Sequence, residues 1–194
     1  EVVRNLSWFV PLFLFVRAVP KDFKFTVFDE LHLWVVNIKW LLLENKLQDI
    51  SSVTFAINDG ANQTYPPAQM LFQYFLVHNF EWSESNFLIA QIIFIFICML
   101  AVNATFFRQN TVVSLLSFLV SFIALYLFGL PFDNILAEGF LAAQLTACVC
   151  LALKIEKKSA FLFAICLSVL ALIKPISFIF VILPLLIFAA RFAF

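Results

Sequence analysis

Residues 159–190 read SAFLFAICLSVLALIKPISFIFVILPLLIFAA, thirty-two positions with a single charge, Lys174. As one helix at ~1.5 Å per residue this stretch would run ~48 Å. The hydrocarbon core of a bilayer is only ~30 Å thick, so the stretch is too long for one ordinary crossing. Lys174-Pro175 divides it, because proline inside a helix removes a hydrogen bond and clashes with the preceding turn. The reading that follows is two short membrane helices meeting at a turn that holds Lys174. One long kinked helix is the alternative.

The composition agrees with a membrane setting. Hydrophobic residues make up 64% and charged residues 12% of the 194 positions, with a mean hydropathy of +1.03. A soluble domain is about 45–50% apolar and about 25% charged. The expected class is therefore an all-α, polytopic transmembrane bundle. Acidic and basic residues balance and no basic run is present, which gives no footing to nucleic-acid binding. Cys98, Cys148, Cys150 and Cys166 lie in apolar runs without histidine or metal-ligand spacing and read as small core residues. The 27 Phe residues read as packing and lipid-facing surface. No phosphate loop, dinucleotide fingerprint, HExxH or Ser-His-Asp pattern occurs, so soluble nucleotide and protease chemistries lack support.

Further apolar segments fall at 68–77, 87–107, 111–130 and 135–153. The first run, 6–16, is ~17 Å long and reads as the tail of a helix begun upstream. A start at Glu1 and an end within an apolar run at Phe194 suggest a piece of a longer membrane protein. Lys154, Lys157 and Lys158 cluster between two segments, which the positive-inside rule places in the cytoplasm. Counting back puts 131–138 outside, Arg108 inside and 78–86 outside. Segment 68–77, at ~15 Å, then lies between two external loops and is expected to be re-entrant or interfacial. The expected layout is an external loop over 17–67, followed by re-entrant, short and transmembrane helices over 68–190.

Chemistry is sought where charge meets this apolar background. Asp29 and Glu30 stand side by side in the first loop, and an ionised carboxylate near hydrocarbon is costly unless used or paired. Residues 28–43 carry a helical period. Leu31, Trp34, Val35, Ile38, Leu41 and Leu42 form one stripe, and Asp29, His32, Val36 and Lys39 fall opposite. With Trp34 and Trp40 at head-group level, this helix is expected to lie in the membrane interface. The plainer account makes Asp29 a cap or first-turn acid. Tyr65-Pro66-Pro67 opens a helix, and Tyr65 and Gln69 could hydrogen-bond a head group there. Glu138 lies beside Gly139, which would admit a close neighbour, with Asp133 as a more ordinary first-turn acid. Lys174, in an apolar setting, calls for an anion or a path to the surface.

The order of these features resembles the GT-C superfamily of polytopic glycosyltransferases, the group that includes protein O-mannosyltransferases and lipid A aminoarabinose transferases. The likeness rests on Phe28-Asp29-Glu30-Leu31-His32-Leu33-Trp34, on Tyr65-Pro66-Pro67, on the acid Glu138 opening a later span, and on Lys174-Pro175. It implies an inverting transfer of sugar from a polyprenyl-phosphate donor to a hydroxyl of a glycan, lipid or protein acceptor, at the external face of a bacterial cell membrane. Asp29 would then be the base and Glu30 its neighbour. His32, Lys39, Tyr65, Gln69, Glu138 and Lys174 would bind substrate, with a divalent metal on the acids as an option. Related enzymes carry Lys before the Pro-Pro pair, where this chain has Tyr65. Two other classes fit the composition, a transporter or flippase-like protein for a lipid-linked or anionic solute and a non-catalytic membrane subunit. Charges gathered at one face and the lack of an internal repeat favour the transferase.

Overall fold

The computed structural model describes residues 9–26, 34–46, 67–80, 82–106, 137–154 and 160–193, with isolated positions at 112, 113, 116, 119, 120 and 156. The chain is all-helical, with no strand among the described residues. Seven helices are defined there: α1 (Phe9–Ala18), α2 (Val35–Glu44), α3 (Ala68–Val77), α4 (Glu84–Phe106), α5 (Ala137–Lys154), α6 (Ala160–Ala171) and α7 (Ser177–Ala193). Two are long and apolar enough to cross a membrane: Glu84–Asn103, with mean hydropathy 2.4, and Ala137–Lys154, with 1.3. The isolated described positions in the expected 111–130 segment are helical, and the rest of it lies outside the described residues.

α4 and α5 form the centre, and they run parallel. Gly139 sits against Gln91 and Ile95, and five residues on Gln144 accepts a bond from Cys98 Sγ at 3.3 Å. Both contacts advance along the two helices in the same direction. Phe96, Phe140, Cys148 and Leu170 are wholly enclosed between α4, α5 and α6. The rings of Phe72, Phe94 and Phe140 pack together, with Phe72–Phe94 centroids 5.0 Å apart.

The 159–190 stretch forms two antiparallel helices rather than one long one. Phe163 of α6 stacks on Phe188 of α7 at 4.9 Å, two positions almost equidistant in sequence from Pro175. α7 also runs the length of α5, from Lys174 at the Glu138 side-chain carboxylate to Arg191, which donates to Ala152 O at 3.5 Å. The turn between them is closed on itself. Ser177 N–H donates to Lys174 O at 2.9 Å, and Lys174 N–H donates to Ser177 Oγ at 3.0 Å. The Ser177 side chain reaches back to an amide three residues upstream, the sense of the N3 half of a capping box.

The end of the bundle that holds Glu84, Glu138 and Lys174 is called the upper end below. α1 finishes there at Ala18, just before Pro20, which disfavours helix at Val19. Residues 20–25 then cross the start of α4. Ser85 Oγ donates to Pro20 O at 2.8 Å, Phe25 N–H donates to a Glu84 carboxylate oxygen at 2.5 Å, and Lys24 pairs with Glu84 at 3.6 Å. α2 caps the same end. Its buried stripe is Trp34, Val35, Ile38 and Leu41, as the 100° period requires. Lys39 lies over the Trp82 ring at 4.8 Å, and Asn45 accepts from Tyr74 Oη at 2.5 Å. α2 closes one residue later than expected, with Asn45 in the left-handed region at φ 52°, a common helix stop. Residues 28–33 of the expected helix lie outside the described residues.

A candidate site beneath the helix cap

α3 begins inside the bundle. Its first amide, Ala68 N–H, donates to Leu172 O at 2.9 Å, so the Pro67 start is docked on the α6–α7 turn. Four N–H groups at a helix start lack partners within the helix, and here a neighbouring helix end supplies an acceptor. The next residue, Gln69, donates from Nε2 to Gln91 Oε1 at 3.2 Å. Gln91 is seven residues into α4, so the start of α3 lies ~10 Å below the start of α4. α3 then climbs back to the cap through Tyr74 and His78. Residues 47–66, which lead into α3, lie outside the described residues.

Lys174 forms an ion pair with Glu138 across 36 residues of sequence. α5 delivers the acid in its first turn, where the helix dipole favours negative charge. The α6–α7 turn delivers the lysine. The two partners are unequal, the Lys174 side chain being 19% exposed and that of Glu138 55% exposed. The cation is therefore the more desolvated member and the carboxylate the more replaceable one. A poorly solvated cation with an exposed counter-ion is suited to taking a second anion in exchange.

The eight residues singled out from sequence divide as follows. Glu138 and Lys174 are brought into contact. Gln69 is fully buried and committed to Gln91, so it stands behind the pair and not at a mouth. Lys39 is exposed and sits over Trp82, bordering a cavity of about 350 Å³ shared with Leu42, Leu43, His78 and Phe80. Asp29, Glu30, His32 and Tyr65 lie outside the described residues, as does Asp133. Gly139 is not needed for a close approach, since an added Cβ would meet Ile95 Cδ1 at 3.8 Å and Gln91 Nε2 at 3.9 Å. Those are ordinary contact distances.

Comparison with protein-family models, with curated proteins and with solved structures gives no match.

The chemistry of the site includes Gln73, which the sequence did not single out, next to Gln69, which it did. Gln69 and Gln73 are one turn apart on α3, and both are wholly buried. Neither polar atom of the Gln73 side chain has a hydrogen-bond partner among the described residues. The i, i+4 pair of amides in a ten-residue apolar helix was the available signal. Ser177, buried in the turn, fixes the backbone of Lys174. No group of three or more His, Cys, Asp or Glu suited to a metal ion occurs among the described residues.

Proposed function

We propose that the chain is the membrane portion of a glycosyltransferase that takes sugar from a polyprenyl-phosphate donor at the external membrane face. The single observation that carries this reading is the Lys174–Glu138 pair beside the docked start of α3. It supplies a largely desolvated cation, already charge-balanced, with which a lipid-linked phosphate would pair. Donor phosphate would replace the Glu138 carboxylate at Lys174, conserving local charge. Taking this face as external is part of the proposal: it follows the cluster of Lys154, Lys157 and Lys158 under the positive-inside rule, against the basic residues Arg17, Lys21, Lys24 and Lys39 of the upper end.

The transfer would proceed as one displacement. A carboxylate, for which Asp29 is the candidate, takes the proton of the acceptor hydroxyl. The acceptor oxygen bonds to the anomeric carbon from the face opposite the phosphate. The carbon–oxygen bond to phosphate breaks and polyprenyl phosphate leaves with the electron pair. Lys174 stabilises the charge that develops on the leaving oxygen. Because the leaving group is a phosphate, no second carboxylate acid is required, unlike glycoside hydrolysis.

The test uses the full-length protein in membranes supplied with radiolabelled polyprenyl-phosphate sugar. Asp29→Asn keeps the size of the side chain and removes the base, so transfer is expected to fall by ~10²-fold or more. Undiminished transfer would make Asp29 a helix cap and send the search for the base elsewhere. A transporter for an anionic solute is the second reading, favoured by one feature, the unpartnered Gln73 amide on α3. Uptake or flipping of labelled donor without any product would select it.

A further inference from the structure

A second concavity opens at the upper end, between α1 and the start of α4, with a volume of about 650 Å³. Its rim is polar. Arg17, in the last turn of α1, and Lys21 line it together with Ser85 and Asn86 from the first turn of α4. Its floor is apolar. Phe13 lies one turn below Arg17 on α1, and Ile89 lies one turn below Ser85 on α4. The two walls run in opposite sequence directions, yet both change from polar to apolar over one helical turn, ~5.4 Å. The outer face of α1 continues the apolar surface through Phe9, Val10 and Leu14, all exposed.

The rim is held in place by the fold. Ser85 Oγ bonds the backbone oxygens of Pro20 and Lys21 at 2.8 and 3.1 Å. Glu84, the nearest acid on α4, is already engaged by Lys24 and by Phe25 N–H. It is thus turned towards the 24–25 segment and not towards Arg17 and Lys21. Neither of those cations has a carboxylate partner among the described residues. A lone arginine at a helix C-terminus has an ordinary account in the helix dipole. Two cations and two polar groups over an apolar floor in one concavity do not reduce to that.

We propose that this cleft binds one membrane phospholipid with an anionic head group. The phosphate lies between Arg17 and Lys21, and the first acyl carbons lie along Phe13, Val16 and Ile89. Arginine recognises phosphate oxygens through paired N–H donors, and Lys21 adds a second cation on the same concavity. The volume falls within the ~300–1,000 Å³ typical of ligand pockets, so it holds the head group and upper chains while the rest of the lipid extends along α1. The proposal rests on the membrane setting argued above and is independent of sugar transfer.

The experiment is native mass spectrometry of the full-length protein released from nanodiscs containing equal amounts of phosphatidylglycerol and phosphatidylcholine. Wild-type protein is expected to retain phosphatidylglycerol preferentially. The double variant Arg17→Gln, Lys21→Gln should lose about tenfold of that retention, with each basic residue contributing a few-fold. Arg17→Lys with Lys21→Arg should keep most of it. Ile89→Trp, which fills the floor and leaves both charges, should also lower it, and Val16→Trp provides the same test if Ile89→Trp fails to fold. Lys46→Gln, remote from the cleft, should change nothing. Equal retention of both lipids, or full retention by the double variant, would overturn the proposal. So would displacement of the lipid by millimolar inorganic phosphate, which would indicate a free-anion site. Carbonate extraction of the same membranes separates the two levels of argument. Release of the protein would remove the membrane setting and the cleft with it, whereas a retained protein lacking lipid selectivity would refute the cleft alone.

Discussion

Gln144 and Gln73 are two buried glutamines in apolar helices, and the regions around them treat the amide in opposite ways. At the α5–α6 seam the Gln144 side chain is fully used. Its Nε2 donates to Cys166 O at 2.8 Å and its Oε1 accepts from Cys98 Sγ at 3.3 Å. At the α3–α4 seam, Gln73 is wholly buried and has no hydrogen-bond partner among the described residues. An unpartnered buried amide costs roughly 1–3 kcal/mol by mutational measures. The first region behaves as scaffold, with polar groups that lock helices together. The second, one turn from the docked start of α3, keeps polar capacity in reserve.

If that contrast is right, the largest effect belongs to Lys174. Lys174→Met is expected to lower transfer by ~10²-fold, the scale seen when a charge-stabilising donor is lost, with thermal stability nearly unchanged because partly exposed ion pairs contribute about 0–1 kcal/mol. Labelled-sugar transfer and a melting curve on the same preparation check both halves. A large fall in stability with activity per folded molecule preserved would make the pair scaffold and erase the contrast. Next comes Gln73→Leu, which should raise stability by ~1–3 kcal/mol while impairing function, the trade expected of a site residue. Gln144→Leu should do the reverse. Loss of an interhelical hydrogen bond costs about 0.5–1.5 kcal/mol, with activity per folded molecule intact. Smallest is Gly139→Ala, predicted to stabilise α5 by ~0.5–1 kcal/mol, since a Cβ there meets only ordinary contacts. A destabilised Gly139→Ala protein would show that α4 and α5 approach more closely than these distances allow.

The features legible from sequence were those set by period and length. The 100° stripe of α2 anticipated Trp34, Val35, Ile38 and Leu41 as its buried face, because burial of one face is what the pattern records. Lys174-Pro175 announced the turn between α6 and α7, and the apolar run 68–77 gave α3 its bounds. Glu138 and Lys174 could be placed on the same membrane face by counting crossings, but no local rule pairs residues 36 positions apart. Gln73 escaped notice, and Gln69 was assigned to a head group, for a related reason. A lone glutamine in an apolar run has no period, and whether Gln69 meets a head group or Gln91 depends on where α4 lies. Gly139 was misleading, because a glycine is compatible with a close approach without requiring one.

The parallel course of α4 and α5 has a consequence for the order of assembly. Neighbouring antiparallel helices can pair as soon as the second is made, whereas α4 must await residues 107–136 and then α5 itself. At ~5–20 residues per second, that delay lasts seconds, during which Gln91 has no α5 to cover it. The bond from Gln69 offers an answer. α3 precedes α4 by a short connection, so its amide is already at hand when α4 forms. α3 would then serve the nascent chain before it serves any substrate, sheltering the polar group of α4 until its parallel partner arrives.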